Sequence, residues 1–595
     1  MAEFMTGLKR TNYCGEITIA DKDKEVVVFG WAQKVRDLGQ LIFIDLRDRT
    51  GILQLSFDEF TDKEIFNKAM SVKSEYVLGV VGTVCERTAK NKDIKTGDIE
   101  IKVSEIRILG ESQTPPFEIV ENCKTGDSTR LEYRYLDLRR PDLQSNIMFR
   151  HKVSKITRDY FYDNGFIDIE TPMLIKSTPE GARDFLVPSR IHQGSFYALP
   201  QSPQIYKQLC MVSGFDRYVQ IARCFRDEDL RADRQPEFTQ IDFEMSFVDM
   251  EDVLAIGEGY IKTLFKEALN VDVKTPFPRL KYTEAMERYG SDKPDTRFEM
   301  ELYDITDVVK DTEFVVFKNA IDGGGAVKAI TAKNANGTYT RKEIDKLTEY
   351  VRGIGAKGLA WAKVTDDAVT SSFSKFMTPE QMDAIAKAGN AESGDLILII
   401  ADTNKNKVMS ILGGLRLEVA KRLNITKEGY NFLWVVEFPF FEKDEESGQW
   451  LAMHHPFTSP TDECLDTLEE DKSNVYAKAY DMVLNGVELS SGSIRITNPE
   501  LQNRMFSLLG LSQDEAHKKF GFLTDAFKYG APPHGGMGIG FDRLVMEMLG
   551  SSSLRDVIAF PKIQNASELM TNAPAGVDAQ QLEELGIAVT VAEKE

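Results

Sequence analysis

Cysteine is scarce in this sequence, and its cysteines are not paired. Six of them are scattered over 595 residues with no Cys-x-x-Cys spacing. A structural zinc site or a disulfide framework needs clustered cysteines, so the pattern excludes both as the basis of the fold. The scatter is typical of a reduced protein, and we expect a cytoplasmic location.

Long apolar runs are missing as well. A membrane helix needs roughly 18 uncharged apolar residues, whereas the longest candidate, Leu396 to Ile400, has the length of a strand. Residues Met1 to Met5 lack the basic and then apolar pattern of a secretion signal. We therefore expect no membrane association.

A basic excess is the third missing feature, since 94 acidic and 73 basic residues give a net charge of −21. Proteins that bind nucleic acids usually carry excess positive charge. The run from Arg130 to Arg158, which includes Arg134, Arg139 and Arg140, is locally basic. Such a run is most often a solvated helix face. Net charge describes only the average field, so it neither supports nor excludes a nucleic-acid partner.

A chain of this length exceeds one hydrophobic core, and we expect three or four domains. The first hundred residues alternate short apolar strands with turns, in the order of three strands, a helix and two strands. This order is typical of the OB-fold, although other small barrels share it. The predicted strands are Val26 to Ala32, Leu41 to Leu46, Gly51 to Phe57, Tyr76 to Val84 and Ile99 to Ile108, and the predicted helix is Asp62 to Met70.

Single-stranded nucleic acid binds such barrels through aromatic platforms and polar edges. Phe43, Gln54 and Glu100 offer these groups on the predicted strands. A lone phenylalanine on a strand is nevertheless more often part of a core.

The middle of the chain is rich in alanine, glycine and lysine, and segments of catalytic character lie on both sides of it. This pattern predicts an inserted domain in an α+β multidomain protein. The predicted domains are an OB-fold barrel over 1–112, a linker over 113–140, a catalytic domain in two parts over 141–294 and 425–562, an inserted α+β domain over 295–424, and an acidic C-terminal extension over 563–595.

Three separated motifs carry the chemistry. The first, Gly165 to Pro172, reads as a turn and a strand that ends in proline. The second runs from Phe225 to Asp242 and reads as two antiparallel strands. An arginine on such a strand offers a bidentate fork for phosphate, and a phenylalanine on its partner offers a stacking face. The third, Gly538 to Met546, places two glycines before an arginine that opens an apolar helix. Each motif alone is weak evidence.

In this order the three segments resemble motifs 1, 2 and 3 of the class II aminoacyl-tRNA synthetases. That resemblance implies a catalytic domain built on an antiparallel sheet. The signatures of the other synthetase class, His-x-Gly-His and Lys-Met-Ser-Lys-Ser, are absent from the sequence, as is a Walker-type phosphate loop.

The amino-acid substrate is indicated by two cationic residues. Gln204 and Lys207 are three residues apart and share a helix face. Arg495 follows a serine- and glycine-rich turn. A lysine and an arginine that converge on one carboxylate would select aspartate over asparagine, although a lone Lys207 would more often be a solvated helix residue.

Several segments make the resemblance more specific. They are Thr178 to Asp184, Gln201 to Gln208, Phe225 to Phe238 and His454 to Phe457, and all are similar to bacterial aspartyl-tRNA synthetases. The similarity extends from about Asn12 to Pro561 and includes the middle domain, which looks like the GAD-type insertion of that family. One departure is Asp542, where many class II enzymes carry glutamate.

The resemblance implies the following site residues. Aspartate would be bound by Glu180, Ser202, Gln204, Lys207, Arg226, Asp242, His454 and Arg495. ATP would be bound by Arg226, Asp227, Glu228, Gln235, Phe238, Glu488, Gly540, Phe541, Asp542 and Arg543, with Arg226 and Arg543 as the catalytic pair. Asp481 and Glu488 would hold Mg²⁺, and Phe43, Gln54 and Glu100 would contact the anticodon.

The implied activity is the attachment of L-aspartate to tRNA with ATP, by a homodimer that forms through the segment around Pro172. Asparaginyl and lysyl synthetases, aspartate–ammonia ligases and non-catalytic single-strand binders are the alternatives. Enzymes of the family charge either tRNA(Asp) alone or tRNA(Asn) as well. Leu38 and Lys90 favour the first kind.

Overall fold

The fold was analysed in a computed structural model, which describes residues 3–178, 182–228, 234–444 and 448–590. The chain divides into two compact units. The first unit holds residues 1–151, 230–235 and 549–577, and the second holds 152–229, 236–548 and 578–595. Among the described residues no helix is long and apolar enough to cross a membrane. The six cysteines form no disulfide.

The first unit contains a closed barrel with the strand order β1-β2-β3-β5-β4. Neighbouring strands are antiparallel except β3 and β5, which run parallel. Its elements are β1 Glu25–Asp37, β2 Ile42–Asp48, β3 Gly51–Phe57, α1 Lys63–Ser71, β4 Val77–Glu86 and β5 Ile99–Gly110. The predicted order of elements and the OB-fold are confirmed, and α1 begins where the Asp62 side chain accepts hydrogen bonds from two backbone N–H groups.

The basic run after the barrel is only in part a solvated helix face: Lys152, Lys155 and Arg158 are exposed, whereas two arginines earlier in the run are buried. It contains the short helices α2 Asp127–Glu132 and α3 Arg134–Asp137 and the start of α4 Pro141–Asp163. Arg134 and Arg140 are buried, and both donate hydrogen bonds to the fully buried carboxylate of Asp137, over 2.6 and 2.9 Å. The spacing of the charges in the sequence could not reveal this, because it does not show which side chains become buried when the chain folds.

The second unit is built on an eight-stranded sheet. Its elements before the insertion are β6 Ile167–Asp168, β7 Leu186–Pro188, β8 Phe196–Ala198, α5 Gln204–Val212, β9 Arg217–Phe225, β10 Glu237–Ser246, α6 Met250–Leu269, β11 Arg279–Lys281 and α7 Tyr282–Tyr289. Those of the middle segment are β12 Tyr303–Asp304, α8 Val315–Asp322, β13 Ala326–Ala332, α9 Arg341–Gly353, β14 Ala360–Val364, β15 Val369–Ser371, α10 Pro379–Ala388, β16 Leu396–Asp402 and α11 Lys405–Leu423.

The remaining elements complete the second unit and, at the end of the chain, a short exposed helix. They are β17 Phe432–Val436, β18 Phe441–Lys443, β19 Trp450–Ala452, β20 Ala479–Leu484, β21 Val487–Ile494, α12 Pro499–Leu508, α13 Gln513–Phe527, β22 His534–Gly540, α14 Phe541–Leu549 and α15 Ala579–Leu585.

Strands from both sides of the middle segment share the large sheet, whose order is β11-β17-β20-β21-β22-β10-β9-β6. The six strands from β17 to β9 are antiparallel to one another. Each edge strand is parallel to its neighbour, β11 to β17 and β6 to β9. The middle segment forms its own sheet in the order β12-β13-β16-β14-β15. Its strands carry alternating residues into two separate apolar cores, one on each face.

The last helix of the middle segment crosses the end of α7 at very short range. Gly290, with a φ of 65°, ends α7 against Gly413 of α11. A Cβ atom at Gly413 would lie 2.3 Å from the Gly290 carbonyl oxygen. Nearby, the buried guanidinium of Arg416 donates to the carbonyls of Phe298 and Met300. Glycine is therefore needed where the two backbones meet.

We expect Gly413→Ala to lower the thermal midpoint of unfolding, because the new methyl group overlaps backbone atoms that cannot rotate away. The expected cost is about 1–3 kcal/mol. The neighbouring Gly414→Ala is a matched control, since its nearest atom is the flexible end of Ile354 at 3.0 Å. Calorimetry of both variants measures the difference, and equal midpoints would contradict the close approach.

Candidate active site

Two buried cations meet on one buried carboxylate in the second unit. The Lys207 ammonium, on α5, lies 2.7 Å from Asp242 and 3.3 Å from Glu244. Arg495, which directly follows β21, donates from Nε and Nη2 to Glu244 over 2.9 and 3.2 Å. Its Nη1 donates to Ser493 over 2.6 Å. The predicted convergence of Lys207 and Arg495 is thus present in the structure, and Glu244 is its centre.

The charge state of Glu244 follows from two opposed effects. Burial raises the pKa of its carboxyl group, but Arg495 and Lys207 outweigh burial and lower that pKa to about 2. Glu244 is therefore ionised throughout the physiological range. Each of the four charged groups is almost fully enclosed, and burial is possible because the two cations and the two carboxylates compensate each other.

Polar atoms with no hydrogen-bond partner surround this cluster. They include Nε2 of Gln204, Oδ2 of Asp242 and Nε2 of His454, all buried. Buried polar groups in native proteins are nearly always satisfied, so unpaired ones indicate where a polar ligand or water belongs. Gly538 lies opposite Asp242 in the sheet, and a Cβ atom there would sit 3.4 Å from its carboxylate oxygens. Glycine keeps this side of the carboxylate open.

Two neighbouring histidines approach the same cluster. The Nδ1 of His454 lies 3.3 Å from the Ser491 hydroxyl, and its ring packs edge-on against Phe438. Burial lowers the pKa of His454 to about 4. Burial, with the nearby Arg495 and Lys207, lowers the pKa of His455 to about 3. Both imidazoles are therefore neutral near pH 7 and act as hydrogen-bonding groups.

The second motif forms the hairpin of β9 and β10, as predicted. The Arg226 backbone N–H donates to the Pro236 carbonyl over 2.8 Å, which closes the base of the hairpin. The Arg226 guanidinium lies 5.1 Å from the centroid of the Phe238 ring. An arginine fork and an aromatic face are thereby adjacent. The Asp227 backbone N–H donates to the Arg183 carbonyl over 3.0 Å, whereas the hairpin loop 229–233 and Glu180 lie outside the described residues.

The third motif is β22 followed directly by α14. Gly540 ends the strand, Phe541 begins the helix, and the Asp542 carboxylate accepts a hydrogen bond from the Thr239 backbone over 2.8 Å. The Arg543 Nη1 donates to the Glu488 carbonyl over 2.7 Å. The strands β10 of motif 2 and β22 of motif 3 are thus neighbours in one sheet, and the start of α14 is hydrogen-bonded to β10.

The two acidic residues predicted to bind a metal lie on the paired strands β20 and β21. Asp481 is buried, and one of its carboxylate oxygens, Oδ1, has no hydrogen-bond partner. Burial and the neighbouring negative charge of Glu488 raise the pKa of Asp481 well above its ordinary value. A divalent cation would relieve that repulsion. Within the described ranges no group of three or more His, Cys, Asp or Glu side chains has metal-site geometry, so any cation here would need ligands from elsewhere.

Two further predicted residues have local roles. Ser202 precedes α5, and its hydroxyl accepts the Gln204 backbone N–H over 3.2 Å. Gln235 belongs to the first unit, where its amide group pairs with both backbone groups of Lys562, over 2.8 and 3.1 Å.

The barrel brings Phe43, Gln54 and Glu100 together, as predicted. The Gln54 amide donates to the Glu100 carboxylate over 2.7 Å, and its carbonyl oxygen accepts from Arg36 over 2.9 Å and Arg87 over 2.8 Å. Arg36 also lies over the Phe43 ring, 5.4 Å from its centroid. The half-buried phenylalanine therefore has a guanidinium over its ring, and that guanidinium is bound to Gln54.

Sequence reasoning missed Glu244, Arg36 and Arg87. A signal for Glu244 was available, because residues two apart on a strand share a face and Glu244 follows Asp242 by two. Arg36 and Arg87 lie 51 residues apart in the numbering and meet only through Gln54 on β3. No local pattern connects them.

Comparison with known proteins places this geometry in a family. Residues 126–564 match the family profile described as tRNA synthetases class II (D, K and N), and residues 26–109 match an OB-fold nucleic acid binding domain. Among solved structures, asparaginyl-tRNA synthetase from Pyrococcus horikoshii has a TM-score of 0.58 at 17% identity, covering 93% of this chain and 98% of that chain. The chain belongs to the class II tRNA synthetases, and its fold is shared with that structure.

Curated relatives are much more similar in sequence. Aspartate–tRNA ligase of Ruminiclostridium cellulolyticum is 58% identical over 99% of this chain and 100% of its own length. Aspartate–tRNA(Asp/Asn) ligase of Caldanaerobacter subterraneus subsp. tengcongensis is 57% identical, with the same coverage of both chains. The chain belongs to the aspartate–tRNA ligase family of the class II tRNA synthetases.

We expect Arg495→Met to destabilise the second unit by about 3–5 kcal/mol, because it removes the main partner of a buried carboxylate. The folded-state pKa of Glu244 is lowered from 4.5 to about 2, so its ion pairs stabilise the fold above pH 4.5 and this contribution is lost as the pH falls towards 2. The variant should lose less stability than the parent over that interval.

Denaturant titrations at pH 7 and at pH values between 4.5 and 2 measure both effects. Arg504→Met is the matched control, since the partner of Arg504 is the exposed Glu469 and the change should alter stability little. Equal stability losses in the two variants at pH 7 would contradict the central position of Glu244.

Proposed function

We propose that this chain is an aspartate–tRNA ligase that activates L-aspartate with ATP and transfers it to the 3′-terminal adenosine of tRNA(Asp). The observation that best supports this proposal is the pair of buried cations, Lys207 and Arg495, which contact Glu244 beside polar atoms that have no hydrogen-bond partner. The catalytic sheet supplies the phosphate ligands next to this pocket.

The pocket suits a dicarboxylic amino acid. Lys207 and Arg495 provide fixed donors for the β-carboxylate of aspartate, and asparagine would turn an amide donor towards them. Asp242, with its free Oδ2, and the proposed Glu180 provide acceptors for the substrate ammonium. The other proposed aspartate ligands are Ser202, Gln204, Arg226 and His454.

The phosphates are assigned to the two arginines of motifs 2 and 3. Adenine stacks on Phe238, which leaves the α-phosphate beside the adjacent Arg226, and Arg543 binds the γ-phosphate. Asp227, Glu228, Gln235, Glu488, Gly540, Phe541 and Asp542 are the remaining proposed ATP residues. A carboxylate oxygen of aspartate attacks the α-phosphorus in line, the bond to the β-phosphate oxygen breaks, and pyrophosphate leaves.

The first step needs no general base, because the attacking carboxylate is already ionised. Catalysis then depends on positioning and on cations that face the developing charge. In the second step the terminal hydroxyl of the tRNA attacks the activated carbonyl, and AMP leaves. Arg226 is proposed as a catalytic residue in both steps, since it contacts the reacting phosphate.

Mg²⁺ is the proposed metal, held by Asp481 and Glu488. Two carboxylates with an unsatisfied oxygen fit an ion that takes its other ligands from phosphates and water. When bound, it would neutralise charge on the leaving pyrophosphate. Without the ion, the two carboxylates would repel the triphosphate.

The proposed assembly is a homodimer that acts in the cytoplasm, where tRNA and ATP occur. The segment before Pro172 includes the edge strand β6, whose Ile167 is exposed, and Phe247 is 77% exposed. An open sheet edge with apolar side chains is suited to pairing with a second copy.

We expect Arg226→Ala to abolish aspartate-dependent ATP–pyrophosphate exchange without unfolding the protein, because it removes the donor that faces the α-phosphate. Arg223→Ala is the control: Arg223 lies on β9, three residues before Arg226, and its half-exposed guanidinium pairs with Glu237 over 2.7 Å. Near-normal exchange by Arg226→Ala would refute the assignment. Exchange supported by asparagine or lysine instead of aspartate would favour a relative of different specificity.

We expect Gln54→Ala to lower kcat/KM for charging tRNA(Asp) by about tenfold or more, the size of one lost base contact, and to leave pyrophosphate exchange unchanged. Charging assays on purified tRNA(Asp) and tRNA(Asn) measure this effect and the tRNA specificity together.

We propose that only tRNA(Asp) is charged, on the basis of Leu38 and Lys90. Equal charging of both tRNAs would contradict this proposal. It would show the dual specificity for tRNA(Asp) and tRNA(Asn) that is given in the name of the Caldanaerobacter relative.

A further inference from the structure

We propose that Arg10 and Arg49, which lie against the ring of Tyr13, form a second nucleic-acid subsite on the barrel unit. This subsite binds the phosphodiester backbone of tRNA outside the anticodon. We call the three residues the arginine platform. The anticodon residues proposed above contact bases, whereas the platform holds phosphates, which position an RNA but carry no sequence information. The inference rests on the proposed function of the barrel as a tRNA-binding domain.

Both guanidinium groups of the platform lie against one aromatic ring. The Cζ atom of Arg10 is 4.5 Å from the centroid of the Tyr13 ring, and the Cζ atom of Arg49 is 4.7 Å from it. Arg10 also donates from Nη2 to the Phe29 carbonyl over 3.2 Å and lies 5.6 Å from the centroid of the Phe29 ring. Both arginines are exposed, and Tyr13 is half-buried. Two positive charges are thereby held close together on the surface.

The two chain segments that carry the platform are fixed to each other. The Cys14 backbone N–H donates to the Asp48 carboxylate over 2.7 Å, and the Gly15 backbone N–H donates to the Thr50 hydroxyl over 2.8 Å. A Cβ atom at Gly15 would lie 2.0 Å from the Thr50 carbonyl oxygen, so glycine is needed for this approach. The platform tyrosine precedes Cys14, and one platform arginine lies between Asp48 and Thr50. Ring and guanidinium therefore meet on a preorganised base.

The positive charge of the platform has no partner of opposite charge in the part of the chain that the structure describes. Within those residues neither platform arginine forms an ion pair, and Arg49 forms no hydrogen bond. The adjacent acid, Asp48, is 7% exposed, and its carboxylate accepts from two backbone N–H groups and a hydroxyl. By contrast, Arg36 and Arg107 of the same barrel have carboxylate partners at 3.0 and 2.6 Å. The platform is therefore suited to an anion from outside the chain.

An RNA phosphate is the anion that this position favours. Strand β2 carries Phe43 near its start and ends next to Arg49, so the two residues are about 20 Å apart along the strand. An OB-fold contacts about 4–16 nucleotides of a bound strand, which is long enough to span both sites. A guanidinium held by stacking also offers parallel donors to a phosphate and loses little side-chain entropy on binding. The platform therefore suits the backbone of an RNA whose bases are bound at Phe43.

Titration of the full chain with tRNA(Asp) at several salt concentrations tests the platform. We expect Arg10→Gln and Arg49→Gln each to raise Kd by about two- to fivefold at physiological salt, the size of an exposed ion pair. The slope of log Kd against log salt concentration should fall by about 0.7–0.9 in each variant, because each lost phosphate contact releases fewer counterions. The slope should fall about twice as much in the double variant.

Two further variants separate a phosphate contact from a structural role. Arg49→Lys keeps the charge and should keep most of the salt slope that Arg49→Gln loses. Lys24→Gln is the matched control, because it removes one exposed charge that is already paired with Asp21 over 2.9 Å. A lower thermal midpoint with an unchanged salt slope in Arg49→Gln would overturn the proposal, since the arginine would then only stabilise the fold. Equal slope changes in Arg49→Gln and Lys24→Gln would overturn it as well, since net charge alone would then explain them.

The response to a changed anticodon distinguishes the platform from residues that contact bases. Arg49→Gln should weaken the binding of tRNA(Asp) and of a tRNA(Asp) with an altered anticodon by the same factor, because a phosphate contact is independent of sequence. A factor that depends on the anticodon would refute the backbone assignment. A parent protein that does not bind tRNA would refute the proposed function and the platform together. A parent that binds tRNA with a salt slope that the variants leave unchanged would refute the platform alone.

Discussion

The carboxylate of Glu244 is the group on which the proposed amino-acid pocket depends. Two cations that point into one small site would repel each other, and each would carry a large desolvation cost. Glu244 contacts both of them, and Asp242 is a second acceptor 2.7 Å from the Lys207 ammonium. The cluster is thereby nearly neutral, so recognition in the proposed pocket would depend on the directions of fixed donors and not on excess charge.

The glycines of β22 follow from the same constraint. Gly536 lies opposite Glu244 in the sheet, and a Cβ atom there would be 2.3 Å from its Oε2. The third motif can therefore approach β10 closely, which ties Asp542 to the Thr239 backbone and starts α14 beside the phosphate residues. The proposed amino-acid pocket and the proposed phosphate residues of the third motif therefore lie along the same pair of strands.

Arginine has different roles in the two units. In the second unit, the Arg226 guanidinium lies beside the Phe238 ring and Arg543 donates to the Glu488 carbonyl, and both are proposed phosphate ligands. In the first unit, Arg134 and Arg140 are buried on Asp137. A protein with a net charge of −21 can bind an anionic partner because its positive groups are placed individually, and the mean field of the chain says little about that placement.

Local sequence determined the elements with strong periodicity and the order of the motifs. The barrel strands, the helix after Asp62 and the β9–β10 hairpin were predictable, because alternation, caps and turn residues act over a few positions. The roles of Phe43, Gln54 and Glu100 in anticodon contact stay a prediction from family resemblance. Only the tertiary structure placed Arg36 and Arg87 on Gln54, Glu244 between two cations, and the basic run on Asp137. Those contacts join residues far apart in the chain, and desolvation, which no local pattern encodes, decides which charges are buried and paired.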